Sequence, residues 1–241
     1  MPLTFVFWIT FLTAISLWTN SSLAQGVIGE ASSDKWRSSL SLYVWGAKLD
    51  GTAVVAGNEV DIGGGNLADH IGGLFSGHFE SRKDKWGYFL DVMYVRLDPN
   101  VNTQMGIVSA DVKDIITEVA GVYQFNSMVK GLFGVRHQSL EVDLYLPFPL
   151  NAKTDWTDGF IGLRVIPVQT DKWHVWLRGD VSVVGDSDTT WHAFIGAAYR
   201  FNPKWSLLTA YRVLSNDIED GSFKWDVVRS GVGLAVTYSF Q

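Results

Sequence analysis

The chain has no cysteine among its 241 residues, which excludes both a disulfide framework and a thiolate metal site. Proline is scarce, at 6 residues. Charged residues make up only 18 %, and the net charge of −6 argues against a nucleic-acid partner, which calls for a basic face. Beyond residue 35 there is no sustained 3.6-residue periodicity, and no stretch approaches the ~20 apolar residues of a membrane helix. Any membrane role therefore falls to strands. What the chain does have is 14 % aromatic residues, 24 glycines and a recurring alternation of period two. Its length suits one all-β barrel, a fold that routinely passes about 200 residues.

The N-terminus stands apart. Leu3 to Trp18 forms an apolar run, followed by small and polar residues. Ser22-Leu23-Ala24 fits a small-x-small cleavage pattern before Gln25. The run is short for a membrane span, so residues 1–24 read as a secretory signal peptide. No Lys or Arg precedes it, which departs from the usual pattern, and an uncleaved anchor helix is the competing reading. Residues 25–36 then form an N-terminal periplasmic segment and 37–241 the barrel.

Within the barrel, Trp86, Tyr88, Leu90, Val92 and Tyr94 share one face, and Gly87, Phe89, Asp91, Met93 and Val95 the other. Near the end, Val228, Val232, Leu234, Val236, Tyr238 and Phe240 oppose Arg229, Gly231, Gly233, Ala235, Thr237 and Ser239. Ten such segments fall near 37–49, 70–81, 86–98, 108–125, 130–146, 155–167, 173–184, 189–202, 205–215 and 227–240. The joints near 82–85, 126–129, 168–172 and 203–204 are short. Those near 50–69, 99–107, 147–154 and 216–226 are longer, although the one near 185–188 is short. Short turns at one end and longer loops at the other are the layout of a closed antiparallel transmembrane β-barrel. The strands are long enough to cross lipid, which takes about 9–11 residues. Ten strands is the count adopted, with eight and twelve as alternatives. An even count places both barrel ends on the short-turn, periplasmic side.

A soluble barrel turns its apolar face inward, and a membrane barrel reverses this. Here the polar faces carry glycine and alanine beside charge, as a crowded interior would. The apolar faces end in Trp, Tyr and Phe. Reversal is expected, with a lipocalin-like soluble barrel as the competing reading. The phrase Asp-Lys-Trp ends at Trp36, Trp86 and Trp173, and Asn-Pro-Lys-Trp ends at Trp205. All four open odd-numbered segments on the short-turn side. With Tyr238 and Phe240 they read as interfacial anchors at the headgroup level. Lys224-Trp225 opens an even segment at the opposite rim, so Lys-Trp alone does not mark a side.

Trp156, Asp158, Gly162 and Arg164 spell W-x-D-x-x-x-G-x-R. Gly179-Asp180, Ser187-Asp188 with Trp191, Tyr199-Arg200-Phe201 and Tyr211-Arg212 follow. With the hairpin from Phe79 to Asp98, this series resembles a family of largely uncharacterised outer-membrane β-barrel proteins, over most of the chain after the leader. The resemblance implies a barrel in the outer membrane and brings no established activity. The chain departs from the pattern at Val181-Ser182-Val183-Val184, where the family tends to be glycine-rich, and it ends in Gln241, one residue past Phe240.

The alternation also assigns an interior. Its acids are Glu80, Asp91, Glu118, Asp158 and Asp180, and its arginines Arg136, Arg164, Arg178, Arg200, Arg212 and Arg229. Arginine pairs two carboxylates at once and stays charged when buried, whereas an isolated ion is costly. An interlocked network filling a narrow lumen is therefore expected, in place of an apolar core. Its near balance of charge speaks against a single-sign selectivity ring.

Candidate chemistry is sparse. If a hairpin turns near Asp186, Asp180 lies opposite His192 with Ser182 one interior step away. These three are weak catalytic candidates of the type hydrolases use. The plainer reading is a cross-strand pair near the loop mouth. Asp186-Ser187-Asp188 reads as a turn. The glycine-rich Asp61 to Asn66 lacks a following Lys-Ser/Thr and a helix, so it is no phosphate loop. The histidines at 70, 78, 137, 174 and 192 have no metal-ligand spacing, and neither metal nor cofactor is expected.

Three functions are consistent with this. The first is a non-enzymatic outer-membrane barrel with a structural or loop-mediated contact role. The second is a narrow porin-like channel for small polar solutes, and the third a membrane-embedded hydrolase. The expected partners are outer-membrane lipid and the barrel-assembly machinery.

Overall fold

The computed structural model describes residues 35–55, 58–61, 71–97, 100–103, 106–145, 150–221 and 223–240. The expected signal peptide, most of the segment 25–36, the glycine-rich stretch after Asp61, His70 and Gln241 lie outside the described residues. Twelve strands follow in order: β1 (Arg37–Val55), β2 (Asn58–Asp61), β3 (Ile71–Lys83), β4 (Trp86–Leu97), β5 (Asn100–Thr103) and β6 (Gly106–Gln124), then β7 (Val129–Leu144), β8 (Leu150–Gln169), β9 (Trp173–Gly185), β10 (Thr189–Arg200), β11 (Trp205–Asp220) and β12 (Phe223–Phe240). Ten of them form the wall. β2 and β5 are short and pair with each other, with β1 and with β6 above the loop-side ends of β3 and β4.

Each wall strand pairs antiparallel with its neighbours, and β12 returns to β1, with Ser38 opposite Phe240 and Val54 opposite Lys224. The sheet is closed. Followed once round, the partners lead from Leu49 through Arg229, Leu214, His192, Asp180, Gly162, Leu132, Val122, Gly87 and Arg82 to Arg37. That stagger, from Leu49 to Arg37 on the same strand, goes with strands tilted by about 40°. One ladder is short: β1 pairs with β3 only from Arg37–Arg82 to Leu42–Gly77.

Four tight turns lie at the rim where the odd wall strands begin, and each has a local reason. Asp84 takes a left-handed φ of 52°, a conformation that Asp tolerates better than most residues. Asn126 Oδ1 accepts from the backbone N–H groups of Met128 and Val129, and Asn202 Oδ1 from those of Lys204 and Trp205. Thr170 Oγ1 accepts from the N–H of Trp173. These side chains satisfy turn amides that no ladder reaches.

The alternation sets the polarity of the wall. On β1, Ser39, Ser41, Trp45, Ala47 and Leu49 are buried, while Leu40, Leu42 and Val44 are exposed. At mid-height the outer surface carries Val119, Val135, Ile161, Leu177, Ile195 and Leu234, all exposed. The inward positions beside them hold Glu118, Arg136, Asp180 and Arg212, all buried. An apolar belt around the whole wall, with ions inside, is the arrangement of a barrel that crosses lipid and not of a lipocalin.

Two expectations need correction. Several strands run past the membrane-crossing length: β1 continues to Val55, β8 starts at Leu150, and β11 and β12 reach Asp220 and Phe223. The long joint expected at 216–226 is a tight turn, with Asp220 opposite Phe223 and Gly221 at a φ of 59°. The cause is apolar packing inside the extension, where Leu49, Leu140, Val142, Trp156, Ile218, Trp225 and Val227 form one buried cluster.

Candidate functional site

The lumen has three levels. Nearest the loops is that apolar cluster, into which Trp156 and Trp225 both turn. Trp225 is therefore interior and not an interfacial ring.

At mid-height a ring of ions crosses the lumen. Arg136 donates from Nε to Glu118 Oε1 at 2.8 Å and from Nη2 to Asp180 Oδ1 at 2.7 Å. Arg178 donates from Nε to the other oxygen of Asp180 at 2.7 Å and from Nη2 to the other oxygen of Glu118 at 2.9 Å. Each acid thus bridges both arginines. Arg136 is 0 % exposed and Glu118 1 %. Burying such ions costs several kcal/mol apiece unless pairing and charged hydrogen bonds offset it, which this closed ring supplies. The guanidinium carbons of Arg136 and Arg178 also sit 4.9 Å and 5.1 Å from the ring centres of Phe160 and Phe89.

His192 joins from β10. Arg212 Nε donates to His192 Nε2 at 3.0 Å, so Nδ1 carries the imidazole proton and donates to Asp180 Oδ2 at 3.2 Å. Arg212 lies over Trp45, 4.8 Å from its ring centre. Towards the loops, Arg229 pairs with Asp114 at 3.0 Å and donates to Asn216, while Gln138 donates to Asp114 at 2.8 Å.

Below the ring, Arg164 donates to both oxygens of Glu80. Tyr43 donates to Asp91 at 2.7 Å, and His78 Nδ1 lies 3.0 Å from the same carboxylate. These groups border a cavity of about 180 Å³ in the short-turn half of the lumen.

Asp158 and Arg200 behave differently from the rest of the expected network. Asp158 faces Arg136 in the ladder, but its oxygens accept from the N–H and the hydroxyl of Ser187, holding the β9–β10 turn. Gly185 allows that approach, because a Cβ there would meet Asp158 Oδ1 at 2.4 Å. Arg200 is buried at the base of β10, beside the short turns. Lys130, Arg82 and Tyr43 join the interior without standing among the residues the sequence assigns to it, and so do His78 and His174, which the sequence marks only as lacking metal-ligand spacing. Lys130 is an even step along β7 from Arg136 and so shares its face.

Asp180 and His192 face each other as the alternation implied. Ser182 does not join them. Its hydroxyl donates to the carbonyl of Thr190 and accepts from the Thr190 N–H, and both His192 nitrogens are already engaged. The arrangement holds a strand pair together and offers no base to the serine.

At the short-turn rim, Trp36, Trp86, Trp173, Trp205 and Phe240 are exposed, with Tyr238 half-buried. They pack edge-on or tilted against further rings: Trp36 on Tyr88, Trp86 on Tyr123, Trp173 on Tyr199 and Trp205 on Tyr238.

No protein-family model matches the chain, and no curated protein matches it. Among solved structures it is similar to the translocator domain of the autotransporter NalP from Neisseria meningitidis, at 13 % identity and a TM-score of 0.43, over 85 % of this chain and 88 % of that one. It is also similar to Ail, the attachment invasion locus protein of Yersinia pestis, at 13 % identity and 0.37, over 86 % and 100 %. Neisserial surface protein A follows at 13 % identity and 0.35, over 88 % and 100 %.

Proposed function

We propose that this chain is an integral outer-membrane barrel, exported by its N-terminal leader, that works without an open pore and without catalysis. It serves as a structural element or makes contacts through the strand extensions and loops at its far rim. The observation that carries this is the lumen's filling. The Arg136–Glu118–Arg178–Asp180 ring lies across its middle, and the apolar cluster around Trp156 and Trp225 packs the loop-side end. A solute path needs a continuous wet route, and an ion ring whose arginines and acids are bonded to one another across the lumen speaks against one.

The test is conductance in planar bilayers, run beside gel migration with and without boiling to verify insertion and folding. A folded, silent barrel is the expected outcome. Discrete single-channel steps from folded protein would replace this proposal with the narrow-channel alternative. Fractionation that leaves the mature chain soluble would overturn both.

A further inference from the structure

The cavity in the short-turn half has an unbalanced wall. Lys130, Arg164, Arg178 and Arg212 line it, against Glu80, Asp91 and Glu118. Three of the cations form a row: Lys130 is the ladder partner of Arg164, and Arg164 that of Arg178, on adjacent strands β7, β8 and β9. Like charges directly opposite in a sheet repel, and this row faces a cavity and not bulk water. Arg178 is taken up by the ion ring, and Arg164 uses Nη1 on Glu80. The Nε of Arg164 is buried with no hydrogen-bond partner, and so is Nδ1 of His174, whose residue is only 8 % exposed. A buried polar nitrogen without a partner is costly; Arg164 Nε can only donate, and His174 Nδ1 donates in the tautomer that carries its proton there, so the pair suits an acceptor that completes the site.

The rest of the lining is of another kind. Trp45, Trp176, Phe194 and Leu208 contribute flat, apolar surface to the same cavity. Trp176 lies 5.7 Å from Phe194 between ring centres, so the two make a continuous aromatic wall. A bare inorganic anion would leave that wall without a complement. A ligand with a compact apolar body and one anionic head matches both halves, since pockets of this type orient a mostly apolar ligand with few polar groups.

We infer that the cavity binds a small monocarboxylate with a flat apolar body, its carboxylate directed to Lys130, Arg164 and His174 and its body to Trp176 and Phe194. The inference goes beyond the pore-less barrel proposed above and does not depend on it, because conductance and binding are read separately. The experiment is a titration of the detergent-folded chain with benzoate, followed by tryptophan fluorescence and calorimetry. Benzyl alcohol and inorganic phosphate serve as the comparison probes. Saturable benzoate binding is expected, weakened roughly tenfold or more in Lys130→Gln, since a charged hydrogen bond is worth over a decade in affinity. His174→Phe should weaken it as well. Both variants must keep the heat-modifiable gel shift of the parent. If Lys130→Gln loses that shift, Arg164→Lys, which keeps the charge and removes Nε, is titrated instead and should still bind more weakly. Absence of saturable benzoate binding overturns the inference. So does equal affinity for benzyl alcohol, which would remove the anion requirement, or for phosphate, which would remove the apolar one. Binding unchanged in every folded variant also overturns it.

Discussion

Arg136 and Glu118 face each other across β6 and β7, Nε to Oε1 at 2.8 Å, and both are shut off from solvent. Neither is paired with the other alone. Glu118 is shared with Arg178, and Arg136 with Asp180, so the charges form one unit and not a set of separate bridges. Removing one member leaves the others buried with less compensation.

Arg136→Met should therefore destabilise the barrel by about 3–5 kcal/mol, the usual cost of stripping one partner from a buried pair. Denaturant unfolding in detergent measures this. A change of a few tenths of a kcal/mol would mean that the ring is wet and screened.

On the outside the sign of the rule reverses. Val135 lies on the outer belt, the ladder partner of Val119. Val135→Arg should cost about 2–4 kcal/mol in lipid vesicles, the penalty for arginine near the bilayer midplane. Lys153→Arg, on an exposed strand extension, should be nearly neutral in the same assay.

Trp86 packs against Tyr123, ring centres 4.7 Å apart, and edge-on to Phe133 at 6.5 Å. Trp86→Ala should lose about 0.5–1.5 kcal/mol of aromatic contact beyond the area removed. Vesicle unfolding should register the loss, and blue-shifted tryptophan emission from the rim should fall with it.

Asp217 sits opposite Asp226 where β11 and β12 rise beyond the lipid belt. Its own burial, and then Asp226, raise its carboxyl above the usual value. The folded chain thus holds this proton more tightly than the unfolded chain. Stability is fully present below the unfolded pKa and declines as pH rises through the folded one. Asp217→Asn should match the parent in acid and become the more stable of the two towards neutral pH. Glu141 behaves in the opposite sense, because its hydrogen bond to Lys113 lowers its carboxyl. The advantage of the parent over Glu141→Gln should disappear as pH falls through that lowered value, and salt should shrink it.

The wall was legible in the sequence because a membrane barrel writes its two faces as strict alternation, seen at Trp86 to Tyr94 and Val232 to Phe240. Facing partners such as Asp180 and His192 followed from that parity and one turn position. The strand ends were not legible. Above the lipid the outer face becomes polar while the inner face turns apolar, so Ile218 and Trp225 invert the pattern that marks the membrane segment. Lys130 was missed for a related reason: it stands at a strand start, where lysine reads as part of the aqueous turn, yet its side chain is buried inside. The division of labour within the interior was also out of reach. Asp158 and Asp180 have the same parity, but only the loop's own geometry sends one to Ser187 and the other to the arginines.

The short β1–β3 ladder gives the wall a seam. Past Leu42 and Gly77, β1 has no ladder partner on that side among the described residues until β2 meets it at Thr52. A zip with one row of missing teeth opens there first, so strain on the cylinder concentrates between its first two wall strands while the β12 side of β1 stays fastened along nearly its whole length.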